Sequence, residues 1–286
     1  MILQSRSQNL VDISALPALL KLCDDPSPVV ASKVARRLRE LGTSVWEEIR
    51  EREIVLSASQ NAALATIFAV HDDEMLREAW QWLSTQGSEH RYLESALLAL
   101  CDWQTGEGTG TRGRLQLDEL ATQFGDFERE NAGDNPGSEA EALSQFLFDY
   151  KGLTGAQPDD YYNPLHSNLV YTLENGHGLP ITLACIFILV GRRVGLDIEG
   201  CAFPGHFLAR DAAGETIFDP FNGGRTLSSL EVAALAKAAP TEMNGAASAR
   251  EIVARVLRNL STAYFQNGDK SKSGLMLSLL RLMENE

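Results

Sequence analysis

Residues 181–194 read ITLACIFILVGRRV, and no charge interrupts them before Arg192. A helix of this composition is apolar on nearly every face, so it holds in water only when other elements enclose it. Gly195 is placed to stop it. The uncharged run falls short of the ~18 residues that a membrane-crossing helix needs. The segment is therefore expected to be the central buried helix of a domain, and the rest of the chain has to supply its walls. With 286 residues, 44% of them apolar, the chain has the material for one large domain or two.

Most of those walls are helical by pattern. Val29, Val30, Val34, Leu38 and Leu41 keep helical spacing, Pro26, Ser27 and Pro28 precede them as start signals, and Gly42 follows as a stop. Further helices are expected over residues 57–70, 72–83 and 92–103, short and joined by polar turns, in the manner of stacked helix pairs. The stretch DPSPVVASKVARRLRELG (residues 25–42) resembles one HEAT repeat.

Residues 105–114, TGEGTGTRGR, offer no apolar side chain to bury and read as a linker. They contain Gly-x-Gly-x-x-Gly at Gly108, Gly110 and Gly113. A dinucleotide site needs a strand before that pattern and an apolar helix after it, and here a helix precedes and polar residues follow. Helices are expected over 115–127 and 138–150, then from Asn163-Pro164 through Leu173 to Gly176. Beyond the central helix the period switches to two. Residues 198–203, 206–210 and 216–218 read as short strands, with a turn at 211–214. A helix near 230–238 and two amphipathic helices, 249–267 and 272–283, close the chain.

Lys and Arg number 25 against 39 Asp and Glu, a net charge of −14. Nucleic acid or an anionic membrane needs a basic patch, so neither is the expected partner, whereas a basic partner suits the charge. The first residues lack the basic start and long apolar run of a signal peptide. Cys23, Cys101, Cys185 and Cys201 lie far apart with no Cys-x-x-Cys pair, which reads as reduced thiols in a cytoplasmic protein. Histidines and cysteines show no ligand spacing and there is no Gly-x-x-x-x-Gly-Lys loop, so no metal and no cofactor is expected.

One pair of residues bears on chemistry. His206 opens one strand and Asp219 closes the next across a tight turn. A carboxylate beside an imidazole fixes its tautomer and raises its pKa, as in a catalytic triad. The plainer reading is a strand histidine and a turn-forming aspartate before Pro220, and spacing alone favours it.

The ordered segments DYYNPLHSNLVYTLENGHGLPITLACIFILVGRRVGL (residues 160–196), GCAFPGHFLAR (200–210) and FDPFNGGRTLS (218–228) resemble the bacterial transglutaminase-like family of SirB type. The resemblance implies a degenerate transglutaminase-like, papain-like core followed by a tetratricopeptide tail, whose first repeat is similar to residues 255–273. It also implies a cysteine at the start of the buried helix, where the helix N-terminus lowers the thiol pKa, with histidine and aspartate from the adjacent sheet. His206 and Asp219 match the last two. The helix start reads Gly178-Leu179-Pro180, so the nucleophile position holds Pro180, a good first-turn residue with no nucleophilic group.

Three residues are weak substitutes. Thr182 needs strong activation and more naturally bonds a carbonyl. Cys185 stands in apolar company, where a thiol is inert. Cys201 faces away from His206 on one regular strand, unless Pro204-Gly205 breaks the parity. The remaining motif residues have structural readings. Asn163 is a cap, Asn168 and Asn222 bond backbone near the site, and Gly205 is a bend beside His206. Gly223 and Gly224 form a tight turn after Pro220 and Phe221, and Arg225 is a surface charge. His166 replaces the asparagine usual in relatives.

The expected architecture is α+β and predominantly α. A helical, HEAT-like domain (1–104) and a linker (105–114) precede a transglutaminase-like core (115–240) with a small antiparallel sheet on the buried helix. A tetratricopeptide-like hairpin (241–286) follows. The expected function is a non-catalytic regulatory or accessory protein that binds a protein or peptide. The alternative is a cysteine-type hydrolase or acyl-transferase with a relocated nucleophile beside His206 and Asp219.

Overall fold

The computed structural model describes residues 13–41, 45, 48–49, 52, 54–84, 89–131, 137–203, 206–212, 216–238 and 246–284. The chain divides into two compact units, Met1–Met75 and Leu76–Glu286.

The first unit holds α1 (Leu16–Leu22), α2 (Pro28–Leu41) and the start of α3 (Ala58–Ser84). Leu16, Leu20, Val34, Leu38, Leu41, Leu64 and Ile67 form its core. The Gln60 side-chain amide donates to the Leu20 carbonyl (2.9 Å), and Arg39 Nε donates to the Ile67 carbonyl (3.1 Å). The two helices expected over 57–70 and 72–83 are one, because residues 70–73 contain neither glycine nor proline to break the ladder. Gly42, the expected stop of α2, lies outside the described residues.

In the second unit, α4 (Glu89–Thr105), α5 (Thr109–Glu130), α6 (Glu139–Ser144), a π-helical turn (Gln145–Tyr150) and α7 (Leu169–Asn175) lead to α8 (Pro180–Arg193). As its composition demands, α8 is buried from Pro180 through Gly191. Its Phe187 ring stands edge-on to Phe148 (5.8 Å) and to Phe218 (5.2 Å).

Residues 105–114 are not a linker, which corrects the expectation. Gly106 and Gly108 take positive φ (105° and 88°) and turn the chain between α4 and α5. From Thr109 onward the segment is helical. A Cβ on Gly110 would meet the Leu98 carbonyl at 2.9 Å, and one on Gly113 would meet Val170 at 2.5 Å. The glycines let three helix backbones approach closely, and Asp102 accepts from the Gly110 N–H (2.9 Å). Residues on both sides of this turn, such as Leu97 and Leu117, share one core with α8, so the compact units part at residue 75 and not here.

The helix expected from Asn163 through Leu173 is two pieces. Asn163 caps a 3-10 turn (Pro164–Ser167) by accepting from the Leu165 N–H, and Asn168 caps α7 by accepting from the Tyr171 N–H. A short parallel pair, β1 (Thr154–Gly155) and β2 (His177–Gly178), lies before α8 and was not legible as strands.

The main sheet has the order β3 (Ile198–Phe203), β4 (His206–Asp211), β5 (Ile217–Asp219), β6 (Arg225–Thr226), antiparallel throughout. Ile198, Phe207, Ala209 and Phe218 face the core around α8. On the other face Cys201, Phe203 and Leu208 form a small cluster with Leu235 of α9 (Ser229–Ala238). Two long helices, α10 (Ala249–Gln266) and α11 (Lys270–Glu284), complete the unit. Ser248 and Glu251 cap α10 reciprocally, and Ile252, Val256, Leu260, Leu275 and Leu279 join the same core as α8. No helix among the described residues is long and apolar enough to cross a membrane.

Candidate functional site

The start of α8 is built by its neighbours. Gly178 fits against α7, where a Cβ would meet Thr172 at 2.7 Å. The His166 carbonyl accepts from the Leu179 N–H (3.0 Å) and from the Thr182 hydroxyl (2.9 Å). Pro180 occupies the first helical turn, fully within the protein. Thr182 is thus a buried structural donor.

His206 opens β4. The register pairs it with Phe203, on the same face as Leu208 and opposite to Phe207 and Ala209, which pack toward α8. Its Nδ1 is sealed from solvent and has no hydrogen-bond partner among the described residues. Asp219 is 3% exposed, and its carboxylate is given to Asn222: Oδ2 accepts from the side-chain amide (2.7 Å) and Oδ1 from the backbone N–H (3.3 Å). No hydrogen bond joins His206 to Asp219. The carboxylate caps the 3-10 turn Pro220–Asn222, which Gly223 (φ 72°) and Gly224 (φ 69°) then carry back. A Cβ on Gly224 would meet Phe148 at 2.2 Å, and the Ser144 hydroxyl donates to the Gly224 carbonyl (2.7 Å). Phe221 presses its ring against Gly155 and stands edge-on to Tyr161 (6.4 Å). Gly205, expected as a bend beside His206, lies outside the described residues together with Pro204. Arg225 pairs with Glu231 at 2.6 Å.

The thiols are all in the wrong electrostatic state for a nucleophile. Burial pushes Cys185 up to about 12 and Cys101 up to about 11, and it also raises Cys201 and Cys23. A catalytic thiol needs the opposite shift. Cys201 and His206 do not lie on one regular strand, so the condition for their facing opposite ways is not met. Because β4 folds back on β3, Cys201 pairs with Leu208 and shares the His206 face, within an apolar cluster.

An imidazole–carboxylate pair does exist, at a different place. His166 is 4% exposed, its Nε2 lies 2.8 Å from Asp160 Oδ2, and its Nδ1 lies 3.3 Å from the His177 carbonyl. Asn163 and then His166 hold the Asp160 carboxyl below its ordinary range. Asp160 and Asn163 line a cavity of about 280 Å³ with Asp159, Tyr162, Pro164 and Asn267.

Sequence reasoning missed Arg255. Its Nη2 donates to the carbonyls of Phe203 (3.1 Å) and His206 (2.9 Å), and its guanidinium lies 5.4 Å from the Phe207 ring centroid. A signal was present, since residue 255 falls on the same helical stripe as Ile252 and Val256. Among the described residues no group of three or more His, Cys, Asp or Glu side chains forms a metal site.

Comparison with known proteins adds the decisive observation: the model of the transglutaminase-like superfamily matches residues 112–258. The chain belongs to the transglutaminase-like superfamily. The matched span runs from the first turns of α5 into α10 and contains Pro180, His206, Asp219 and Arg255. A UPF0162 protein of Xylella fastidiosa is 38% identical over 135 residues, 43% of this chain and 48% of the relative. A UPF0162 protein of Pseudomonas aeruginosa is 28% identical over 54% of this chain and 58% of its own length. The F-box only protein 21 of Mus musculus is 28% identical over 42% of this chain and 21% of its own length. The alignments thus span about half the length of the UPF0162 relatives. No solved structure matches.

Proposed function

We propose that this transglutaminase-like chain is a non-catalytic, SirB-type regulatory or accessory protein of the cytoplasm that binds a protein or peptide. The observation that carries the reading is Pro180 at the first turn of α8, where a transglutaminase-like enzyme would need its thiol. The substitutes do not restore one. The Thr182 hydroxyl is given to the His166 carbonyl, and Cys185 and Cys201 are held protonated by burial. Asp219 is committed to Asn222 rather than to His206. The net charge of −14 suits a basic partner, and the helical N-terminal unit and the α10–α11 pair, read as HEAT-like and tetratricopeptide-like, offer further surfaces.

A thiol-reactive acyl probe applied to the folded protein tests this. No cysteine is expected to label in a His206-dependent way. Labelling of one cysteine that His206→Ala abolishes would establish the hydrolase or acyl-transferase alternative instead. Affinity capture with the intact chain, wild type beside His206→Ala, is expected to recover a partner that the variant retains less well.

A further inference from the structure

One face of α5 borders a cleft. Arg112, Leu115, Gln116, Glu119 and Leu120 recur at helical spacing and line a space of about 450 Å³. Its other wall is Lys151, Leu153 and, on α7, Leu173. The volume is that of a small-ligand site, and so is the lining, mostly apolar with a few polar groups. Leu115 is left 63% exposed beside it.

Three charges stand among the leucines of this lining. One is neutralised: Arg112 Nε donates to Glu174 (2.9 Å), which also accepts from the Gln116 amide (3.3 Å). The other two are oriented by uncharged groups and keep their charge. The Lys151 ammonium lies 5.3 Å from the Phe146 ring centroid and 5.2 Å from that of Tyr150, and it meets no carboxylate among the described residues. Glu119 accepts from the Gln123 side-chain amide (2.6 Å), and it meets no cation among the described residues. An ammonium and a carboxylate thus flank one apolar cleft, on different walls, without counter-charges. Complementary charge selects a partner more than it tightens one. An apolar acid would answer Lys151 and oppose Glu119, and an apolar amine would do the reverse. A ligand that carries both charges and an apolar body answers both.

We propose that the α5 cleft binds a short apolar peptide with both termini free. Its carboxylate meets Lys151, its ammonium meets Glu119, and its side chains lie on the leucines. A free amino acid bears its two charges on one carbon, whereas a peptide separates them, as charges on two walls require. The cleft contains none of Pro180, His206 and Asp219, so the proposal does not depend on the non-catalytic reading.

Isothermal titration of the full chain tests this with dileucine, its N-acetyl form, its C-terminal amide, and diserine. Saturable binding is expected with dileucine and none with diserine. Either blocked form should bind roughly tenfold more weakly, since each loses one bond to a charged group. Glu119→Gln should abolish the preference for a free N-terminus and keep that for a free carboxylate, and Lys151→Gln should do the converse. Leu115→Ser should weaken dileucine binding, whereas Leu230→Ser, at a leucine of α9 that is 84% exposed, should not. All four positions are exposed, and circular dichroism checks that each variant is folded. No saturable binding of dileucine, or equal binding of diserine, overturns the proposal. So do a blocked form that binds as tightly as dileucine, preferences that the two charge variants leave unmoved, and dileucine binding unchanged by Leu115→Ser. Such a failure leaves the acyl-probe and capture tests of the proposed function untouched.

Discussion

At the scale of single residues, Asp219 shows how a motif position can serve structure. Its carboxylate bonds the backbone and side chain of Asn222 and thereby closes the turn that carries Phe221. Asp219→Ala removes a buried cap and should cost about 1–3 kcal/mol, read as a lower urea midpoint with an unchanged slope. The thiols lead to a second prediction. Cys185 ionises in the folded protein only near 12, against an ordinary value of 9.0. A folded pKa raised above the unfolded one contributes stability that is intact below pH 9 and is lost as pH climbs from about 9 toward 12. Urea midpoints should therefore fall over that range, and Cys185→Ala should flatten the fall while lowering stability at pH 7. His206, Asp219 and Pro180 were all legible as positions. Their relations were not, because what a carboxylate bonds is decided by which donor comes within about 3 Å, and sequence spacing does not carry that distance.

At the scale of elements, α5 separates composition from packing. Its glycine-rich start looks like a linker when side chains are taken as the only packing surface, yet Gly113 sits where Val170 would collide with a Cβ. Alanine is the better helix former by about 1 kcal/mol, so Gly113→Ala tests which effect wins. Overpacking of this kind costs about 1–3 kcal/mol, and the variant should be destabilised. Gly125→Ala in the same helix has open space around its Cβ and should be stabilised by about 0.5–1 kcal/mol, both measured by thermal and urea unfolding. The opposite signs within one helix are the check. Helices with strong periodicity, such as α2 and α10, were readable from the chain alone. The break between the Asn163 and Asn168 caps was not, since either asparagine is an acceptable helix start and only local backbone geometry chooses between one helix and two.

At the scale of the whole molecule, the tail is part of the core that encloses α8. Leu257 and Leu260 of α10 and Leu275, Met276 and Leu279 of α11 are buried in the cluster that contains Phe187 and Phe218. Leu279→Ala should therefore lower the same cooperative transition that Phe187→Ala lowers, by about 2–5 kcal/mol, with fluorescence and circular dichroism moving together. A separate, earlier transition for the tail would count against a shared core. The burial of α8 was determined by sequence alone, because an uncharged run with no polar face has no other stable place in water. So were the strand segments beside it, and the absence of a thiol at its first turn. Tertiary structure decided the rest: the glycine contact of α5, the carboxylate of Asp219 turned to Asn222, and the bonds from Arg255 to the Phe203 and His206 carbonyls. Each depends on groups far apart in the chain meeting at contact distance, and a pattern of residue types along one dimension does not encode such meetings.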